Sequence, residues 1–437
     1  MPPSPLQRWL TRPWFLTLWC VVAAFGSYGC MYGFRKPFTA GSYEGTPFGL
    51  QLKTWLVTAQ VLGYMLSKFI GIKVIAEMPA ARRGAAMILL IGAAELALVL
   101  FGLTPPPYNA GCLFFNGLPL GLVYGLVLGF VEGRRMTEIF ISGLCASFIL
   151  ADGVAKSVGA TLLNCGVSER WMPGVAGAIF AAPLLVFVWM LQQIPIPDAR
   201  DVAARSERHP MTTAERLGML RRHGLRLLAI ILVFLLMTVL RSVRADFAPE
   251  IWSGLGIRNQ PAVFTQSESW VAIVVILLNA AVVLVKDNRR AFLLALGMSA
   301  VALGMALLAL AGQHRGVLPP FAFMVLLGLG MYVPYVAVHT TIFERLISLT
   351  RERANIGYLM YLADAAGYFG YAALMLGKNA FPSGESFLTF FIRLCVWIFG
   401  FAFVALLLAY AFYARTLPRQ QAITAPVETL PPVLAGE

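Results

Sequence analysis

The sequence predicts an all-α membrane protein with twelve spanning helices, arranged as two pseudo-symmetric bundles of six. Three observations predict this class: an apolar composition, long unbroken apolar runs, and one polar segment between the sixth and seventh runs. Of the 437 residues 59% are hydrophobic and 13% are charged, which is too little charge to cover a soluble protein of this length. In lipid the backbone must satisfy its own hydrogen bonds, so these continuous runs form helices, and their lack of alternation excludes a closed barrel.

The apolar runs are long enough to cross a bilayer, and their order defines the predicted domains. The predicted spans are 14–36, 52–75, 84–103, 110–131, 137–163, 171–193, 225–247, 265–286, 290–312, 317–343, 354–377 and 387–414. We therefore predict an N-terminal bundle at 1–193 and a C-terminal bundle at 225–416. Residues 194–224 are polar and rich in arginine and are predicted to be a cytoplasmic central loop. The tail at 417–437 is rich in Pro and Ala and is predicted to be disordered.

The net charge of +13 is expected to reflect the positive-inside rule and a few buried cations. Most Lys and Arg fall in the loops on one side if both termini are cytoplasmic. The first apolar stretch, after Arg8 and Arg12, is too long for a signal peptide. We expect a multi-pass, monomeric protein of the bacterial inner membrane. No motif indicates nucleic acid, and the six cysteines lack metal-binding spacing, so neither a metal nor another cofactor is expected.

An acidic repeat relates the two halves. Glu132 and Asp152 are 20 residues apart, and so are Glu344 and Asp364. Each aspartate ends a Leu-Ala-Asp tripeptide, and each glutamate closes an apolar run on the predicted cytoplasmic side, followed by arginine. These ends are the predicted gate residues: Glu132, Arg134, Glu344 and Arg345.

A second repeat matches the first and seventh spans, where Met31-x-x-x-Arg35 parallels Met237-x-x-x-Arg241. Two matches, each in helices six apart, indicate a duplicated six-helix unit in parallel orientation. That is the pattern of the major facilitator fold. The match also predicts that the first helix starts near Leu16 and runs past Pro37, which would place Arg35 near mid-membrane.

Several charges fall where lipid disfavours them. A charge at mid-bilayer costs on the order of 2.5–3.5 kcal/mol, so its side chain should face a cavity or a partner. Depth along each helix, at about 1.5 Å per residue, places Lys68, Asp152, Arg241 and Asp364 near the middle, and the match to Arg241 adds Arg35. The full candidate set is Arg35, Lys36, Lys68, Lys156 and Arg241 against Asp152 and Asp364. Cations outnumber anions in this set. The surplus suits an anionic solute, because Arg can hold a carboxylate or phosphate with two parallel hydrogen bonds.

Other roles remain open for several of these residues. Asp152 and Lys156 stand at i and i+4, so they can pair with each other instead of serving proton coupling. Lys36 can instead face the water outside, and His339 can be a packed core residue instead of a member of the charge network. Glu95 has no evident partner.

Three motifs resemble the organophosphate:phosphate antiporters. The runs Tyr32–Phe38 and Gly63–Ile70 are similar to the first and second helices of that family. Leu240-Arg241, followed by Asp246, Phe247 and Pro249, is similar to the start of its second half. The resemblance implies the major facilitator fold and the exchange of a phosphorylated metabolite for inorganic phosphate. It implies a substrate site of Arg35 and Arg241 as main ligands, supported by Lys36, Lys68, Tyr32 and Tyr64.

The chain departs from that family at Asp152, where the antiporters have a histidine, and at Asp364, which has no counterpart there. The two buried acids permit proton coupling, with a predicted coupling network of Asp152, Lys156, Asp364 and His339. We expect a rocker-switch transporter of a small anionic solute, working by antiport or by proton symport. The alternative is a membrane sensor of the same solute without net transport. An enzyme is not expected, because the sequence shows no nucleophile–base pair or phosphate loop.

Overall fold

A computed structural model describes residues 5–47, 51–76, 78–131, 137–195, 213–350, 356–380 and 386–417. Its helices are α1 (Pro5–Leu10), α2 (Pro13–Gly33), α3 (Leu52–Ala76), α4 (Ala80–Leu103), α5 (Asn109–Val131), α6 (Thr137–Asn164), α7 (Met172–Gln192), α8 (Thr213–Asp246), α9 (Ala248–Gly254), α10 (Ala262–Val283), α11 (Asn288–His314), α12 (Pro320–Ala337), α13 (Phe343–Thr350), α14 (Ile356–Ala380) and α15 (Phe387–Thr416). A 3₁₀ turn (Pro37–Ala40) follows α2, and a π-helical turn (Val338–Ile342) joins α12 to α13.

Twelve of the helices in the described ranges have 18 residues or more, which confirms the predicted all-α membrane fold. Ten of them are long and apolar enough to cross a bilayer. The other two long helices, α3 and α14, carry polar residues that lower their hydropathy: Tyr64 and Lys68 on α3, and Asp364 and Tyr368 on α14. The outward faces are apolar, as at Leu89 and Trp397, because lipid is the solvent there.

The long helices pack as two bundles that meet along two lines. In the N-terminal bundle α2 packs on α6 and α7, and α5 packs on α3 and α4. In the C-terminal bundle α8 packs on α14 and α15, and α12 packs on α10 and α11. Between the bundles α3 packs on α14 and α6 packs on α10. In both lines the second span of one half meets the fifth span of the other, so the contact repeats under the pseudo-symmetry.

Small residues allow close approach of helices inside the N-terminal bundle. A Cβ atom on Gly63 of α3 would lie 2.1 Å from the Phe114 carbonyl oxygen of α5. One on Gly117 of α5 would lie 2.2 Å from the Gln60 carbonyl oxygen of α3. Small residues are common at such membrane interfaces, since helices there associate through packing. This contact fixes α3, which carries Tyr64 and Lys68, against the bundle.

The first long helix is shorter at its end than predicted. It begins at Pro13 and stops at Gly33, so the expectation that it runs past Pro37 is wrong. Proline has no N–H and disfavours helical backbone before it, and the chain turns into the 3₁₀ segment there. The amides of Arg35 and Lys36 still bond to the Tyr32 carbonyl, at 3.0 and 2.9 Å, so both residues stay inside the protein.

The seventh long helix starts earlier than its predicted span of 225–247. Helix α8 begins at Thr213 and takes in the last part of the predicted central loop. The sequence from Thr213 to Arg226 contains good helix formers among its charges, which a hydropathy criterion does not detect. The rest of that loop from 196 on, and the tail from 418 on, lie outside the described residues.

Candidate functional site

Arg35 is buried at the junction of the two halves. It follows α2, and only 3% of its surface is exposed. Its guanidinium carbon lies 3.7 Å from the ring centroid of Tyr64 on α3 and 5.7 Å from that of Tyr368 on α14. The Arg35 side-chain Nε has no hydrogen-bond partner. The guanidinium therefore rests on aromatic faces instead of on a carboxylate.

Arg241 on α8 occupies a matching position in the other half, with 6% of its surface exposed. Its guanidinium carbon lies 4.7 Å from the ring centroid of Tyr335 on α12 and 5.8 Å from that of Phe148 on α6. Its Nη2 donates to the Tyr368 hydroxyl at 3.2 Å. As at Arg35, the Nε atom has no hydrogen-bond partner.

Tyr368 connects the two cations, because it accepts from Arg241 while Arg35 lies near its ring. Tyr368 also packs edge-to-face on Tyr64, with 5.2 Å between ring centroids. We call the set Arg35, Arg241, Tyr64, Tyr335 and Tyr368 the arginine site. Neither arginine forms an ion pair within the described part of the chain. Two buried positive charges from different halves thus share one aromatic enclosure without a counter-charge.

Lys36, although adjacent in sequence to Arg35, belongs to a different group. Its ammonium pairs with Asp246 at the end of α8 and lies 3.8 Å from a carboxylate oxygen of Asp152 on α6. Tyr371 donates to the other Asp246 oxygen at 2.8 Å. Lys36 is buried, so the alternative that it faces outside water is wrong, and its charge is already compensated by acids from both halves.

Asp152 also pairs with Lys156, one turn further along α6, which confirms the i, i+4 alternative. Arg244 on α8 pairs with Glu268 on α10 and donates to the Met324 carbonyl at 3.2 Å. Arg244 and Asp246 are close in sequence but have different partners. Arg244 pairs with a buried acid in the second helix of its own half, and Asp246 pairs with Lys36 of the other half. We call these six residues the ion-pair cluster: Lys36, Asp152, Lys156, Arg244, Asp246 and Glu268.

The ion-pair cluster is balanced, with three cations and three anions. A further pair joins the halves where α3 packs on α14, with Lys68 Nζ 3.1 Å from Asp364 Oδ2. Lys68 also lies 5.1 Å from the Tyr64 ring centroid, at the edge of the arginine site. Apart from Arg35 and Arg241, each buried Lys or Arg that the structure describes in these helices pairs with an acidic side chain. The surplus predicted from the sequence therefore resides on those two arginines.

His339 lies in the π-helical turn and packs on aromatic rings. Its ring centroid is 4.5 Å from that of Tyr335 and 5.0 Å from that of Phe234, and its Nδ1 is 3.1 Å from the Tyr335 carbonyl oxygen. No ion pair of His339 is described, which fits the packed-residue alternative, but Asp364 lies near enough for an electrostatic interaction with it, so its place in the charge network stays a prediction. Tyr32 is buried and packs edge-to-face on Tyr28, with 5.6 Å between ring centroids.

The predicted gate falls largely outside the described parts of the chain. Glu132 and Arg134 lie in the undescribed segment 132–136, and the backbone of Glu344 lies in α13. Arg345 Nη1 donates to Asn288 Oδ1 at 2.7 Å, which joins α13 to the start of α11 within the C-terminal half. The gate assignment stays a prediction.

At the opposite ends of the helices the two halves are joined by polar contacts. Lys53 at the start of α3 pairs with Glu250 of α9 and donates to the Thr39 carbonyl at 2.8 Å. Ser157 of α6 donates to the Pro261 carbonyl at 2.6 Å. Together with the pair between Lys36 and Asp246, these contacts join the two halves at this end.

Sequence reasoning missed Glu268 and the contact of Phe148 with Arg241. Glu268 lies in Ser267-Glu268-Ser269 near the start of a predicted span, so it resembles the polar edge of a helix. Its position four residues into the span 265–286, close to the register of Asp152 across the interface, is visible only once α6 packs on α10. The described residues contain no group of three His, Cys, Asp or Glu arranged to hold a metal.

Comparisons agree on the fold. A family model described as a family of unknown function, DUF5690, matches residues 37–416. The proton:xylose symporter XylE of E. coli, of the major facilitator superfamily, aligns with a TM-score of 0.61 at 14% identity over 92% of this chain and 96% of that chain.

A nucleoside transporter, NupG, aligns with a TM-score of 0.57 at 14% identity over 91% of this chain and 99% of that chain. A POT family transporter in complex with 5-aminolevulinic acid aligns with a TM-score of 0.59 at 11% identity over 91% and 96%. No curated protein sequence matches the chain. The fold is therefore that of the major facilitator superfamily.

Proposed function

The chain belongs to the DUF5690 family, a family of unknown function, and we propose from its site that it is a secondary active transporter of a small anionic solute. The observation that carries this proposal is the pair of buried arginines without an acid. Leaving a charge buried and unpaired is costly. A bound anion with oxygen atoms would supply the missing counter-charge and the missing acceptors for both guanidinium groups.

The arginine site suits alternating access because its two cations belong to different halves. An anion held by Arg35 and Arg241 attracts both halves toward itself, while an empty site leaves two like charges facing each other. Binding therefore favours closure around the solute, which is the step that a rocker-switch transporter needs. The rings of Tyr64 and Tyr368 give these charges a surrounding of low dielectric constant, which strengthens this attraction.

The structural neighbours support a transporter over an enzyme, since XylE, NupG and the POT protein are all transporters. The likeness of three motifs to the organophosphate:phosphate antiporters supports phosphorylated metabolites as the first solutes to test. We place the protein in the bacterial inner membrane with both termini cytoplasmic, on the distribution of Lys and Arg. Exchange for inorganic phosphate and proton symport are both compatible with the site.

The proposal is tested by flux through the purified protein in liposomes. Vesicles loaded with inorganic phosphate are mixed with labelled phosphate, a sugar phosphate or a dicarboxylate, and uptake is measured for the wild type, Arg35→Gln and Arg241→Gln. Arg170→Gln is the matched control, because Arg170 is exposed and bonds only to the Leu103 carbonyl. We expect uptake of at least one anion by the wild type and the control, and none by the two site variants.

Uptake that survives in both site variants would overturn the assignment of the site. Anion binding without flux in any gradient would favour the sensor instead of the transporter. Both outcomes are separable from a folding defect, because the variants keep every ion pair described above and should elute as the wild type does on size exclusion.

A further inference from the structure

Among the acids of the spanning helices whose side chains the structure describes, Glu95 is the one without a cation. The acids Asp152, Asp246, Glu268 and Asp364 each pair with Lys or Arg. Glu95 forms no ion pair, and its Oε2 is buried without a hydrogen-bond partner. It lies 15 residues into α4 and eight before its end, which is about 22 Å and about 12 Å along the helix. This depth lies within the hydrocarbon region.

The backbone of α7 makes room for the carboxyl group. A Cβ atom on Gly177 would lie 2.0 Å from Glu95 Oε2, and the same point is 3.1 Å from the Phe34 ring. The carboxyl therefore fills a notch that an alanine at position 177 would close. An ionised, unpaired carboxylate in this apolar notch is costly, so the notch favours the protonated form of Glu95.

A chain of hydrogen bonds connects this notch to the arginine site. Asn116 of α5 donates to the Ala94 carbonyl at 3.0 Å and to the Phe34 carbonyl at 3.2 Å. Gln60 of α3 donates to Asn116 Oδ1 at 2.8 Å and to the Arg35 carbonyl at 3.1 Å. The residue before Glu95 and the backbone of Arg35 are thus held by one buried network.

Few charged groups face Glu95. The elements packed here on α4 are α5, α7 and the end of α2. Helices α5 and α7 contain no Asp, Glu, Lys or Arg, and the titratable side chains of α5 are Cys112 and Tyr124. Arg35 and Lys36 follow α2, and Lys36 is already paired. Tyr28, Tyr32, Cys20 and Cys30 are the titratable groups of α2 itself. Arg35 is therefore the unpaired charge that an ionised Glu95 would attract.

We propose that Glu95 is a proton-binding group whose ionisation weakens anion binding at Arg35, a role that rests on the proposed transport of an anion. A negative charge on Glu95 repels an anion bound at Arg35, and we expect its ionisation to weaken anion binding roughly tenfold. By linkage, a bound anion favours the protonated carboxyl to the same degree. Solute and proton then bind together, which is the behaviour of a symporter.

The first test measures the protonation of Glu95 directly. Dicyclohexylcarbodiimide, which reacts with protonated carboxyls in lipid, is applied to the protein in nanodiscs between about pH 5 and pH 9, and labelled peptides are quantified by mass spectrometry. We expect labelling of Glu95 that falls as the pH rises, and none at this position in Glu95→Gln. Absent labelling, or labelling that does not change with pH, would overturn the proposal whether or not an anion is transported.

The second test measures how the ionisation of Glu95 affects anion binding. It uses sulfate, whose own charge does not change in this pH range. We expect the wild type and the exposed-site control Glu44→Gln to bind sulfate about tenfold more weakly at the high-pH end, and Glu95→Gln to bind tightly throughout. Equal pH dependence in Glu95→Gln and the wild type would contradict the coupling. If neither the wild type nor any variant binds sulfate, the proposed anion site is contradicted. The labelling of Glu95 then remains the test of the proposed proton-binding role.

Discussion

The arginine site and the ion-pair cluster begin on consecutive residues, Arg35 and Lys36, yet they compensate buried charge in opposite ways. Lys36 contacts two acids, whereas the Arg35 guanidinium lies against the aromatic rings of Tyr64 and Tyr368. Both residues are buried to a similar degree. Burial of a charge therefore does not identify a ligand site in this fold. In the function we propose, the mark of the ligand site is a buried cation without a protein counter-charge, because only that cation needs a partner from outside.

The largest expected effect is on stability, in the ion-pair cluster. Arg244→Gln leaves Glu268 buried and unpaired, so we expect it to lower the free energy of unfolding by about 3–5 kcal/mol. The thermal midpoint in detergent measures the loss. The double variant Arg244→Gln, Glu268→Gln should recover most of it, because no charge is then left without a partner. If Arg244→Gln is as stable as the wild type, the ion-pair cluster does not differ from the arginine site in its contribution to stability.

In the arginine site, loss of a cation should not lower the stability of the anion-free protein, in contrast to the ion-pair cluster. Arg35→Gln or Arg241→Gln removes a cation that has no acid, so the anion-free protein should be as stable as the wild type or more stable. The same variants should bind sulfate about 10–100-fold more weakly, because charge-assisted hydrogen bonds are lost. Thermal midpoints with and without sulfate measure both effects. A large loss of stability without an anion would show that these arginines are structural.

The smallest expected effect belongs to the pair between Lys53 and Glu250, which is only partly buried, since the Glu250 side chain is 28% exposed. Lys53→Gln should lower the free energy of unfolding by about 1 kcal/mol, and raised ionic strength should reduce the difference from the wild type. Unfolding curves at low and high NaCl measure this. Insensitivity to salt would indicate that the pair is as closed to solvent as the ion-pair cluster.

Much of this arrangement was predictable from sequence. Hydropathy gave twelve spans close to the observed helices, because lipid permits little else than a helix for a long apolar run. The repeat of Met-x-x-x-Arg placed Arg35 and Arg241 in equivalent positions, and the structure brings both to Tyr368. The excess of Lys and Arg over Asp among the predicted mid-membrane charges could also be counted from the sequence.

What the sequence could not supply is the partner of each charge. Lys36 and Asp246 are 210 residues apart in the sequence and belong to different halves. Only the packing of α6 on α10 and of α3 on α14 decides which acid meets which base. The end of α2 at Gly33 was missed for a related reason: the symmetry argument ignored Pro37, which has no equivalent near Arg241.

The most direct test of the central claim is calorimetric titration of sulfate into the wild type, Arg35→Gln, Arg241→Gln and the double variant. If both arginines hold one anion, the wild type binds one sulfate per chain, each single variant loses most of the affinity, and the double variant loses little more than either. Two sulfates per chain, or losses that add as for independent sites, would contradict a shared site.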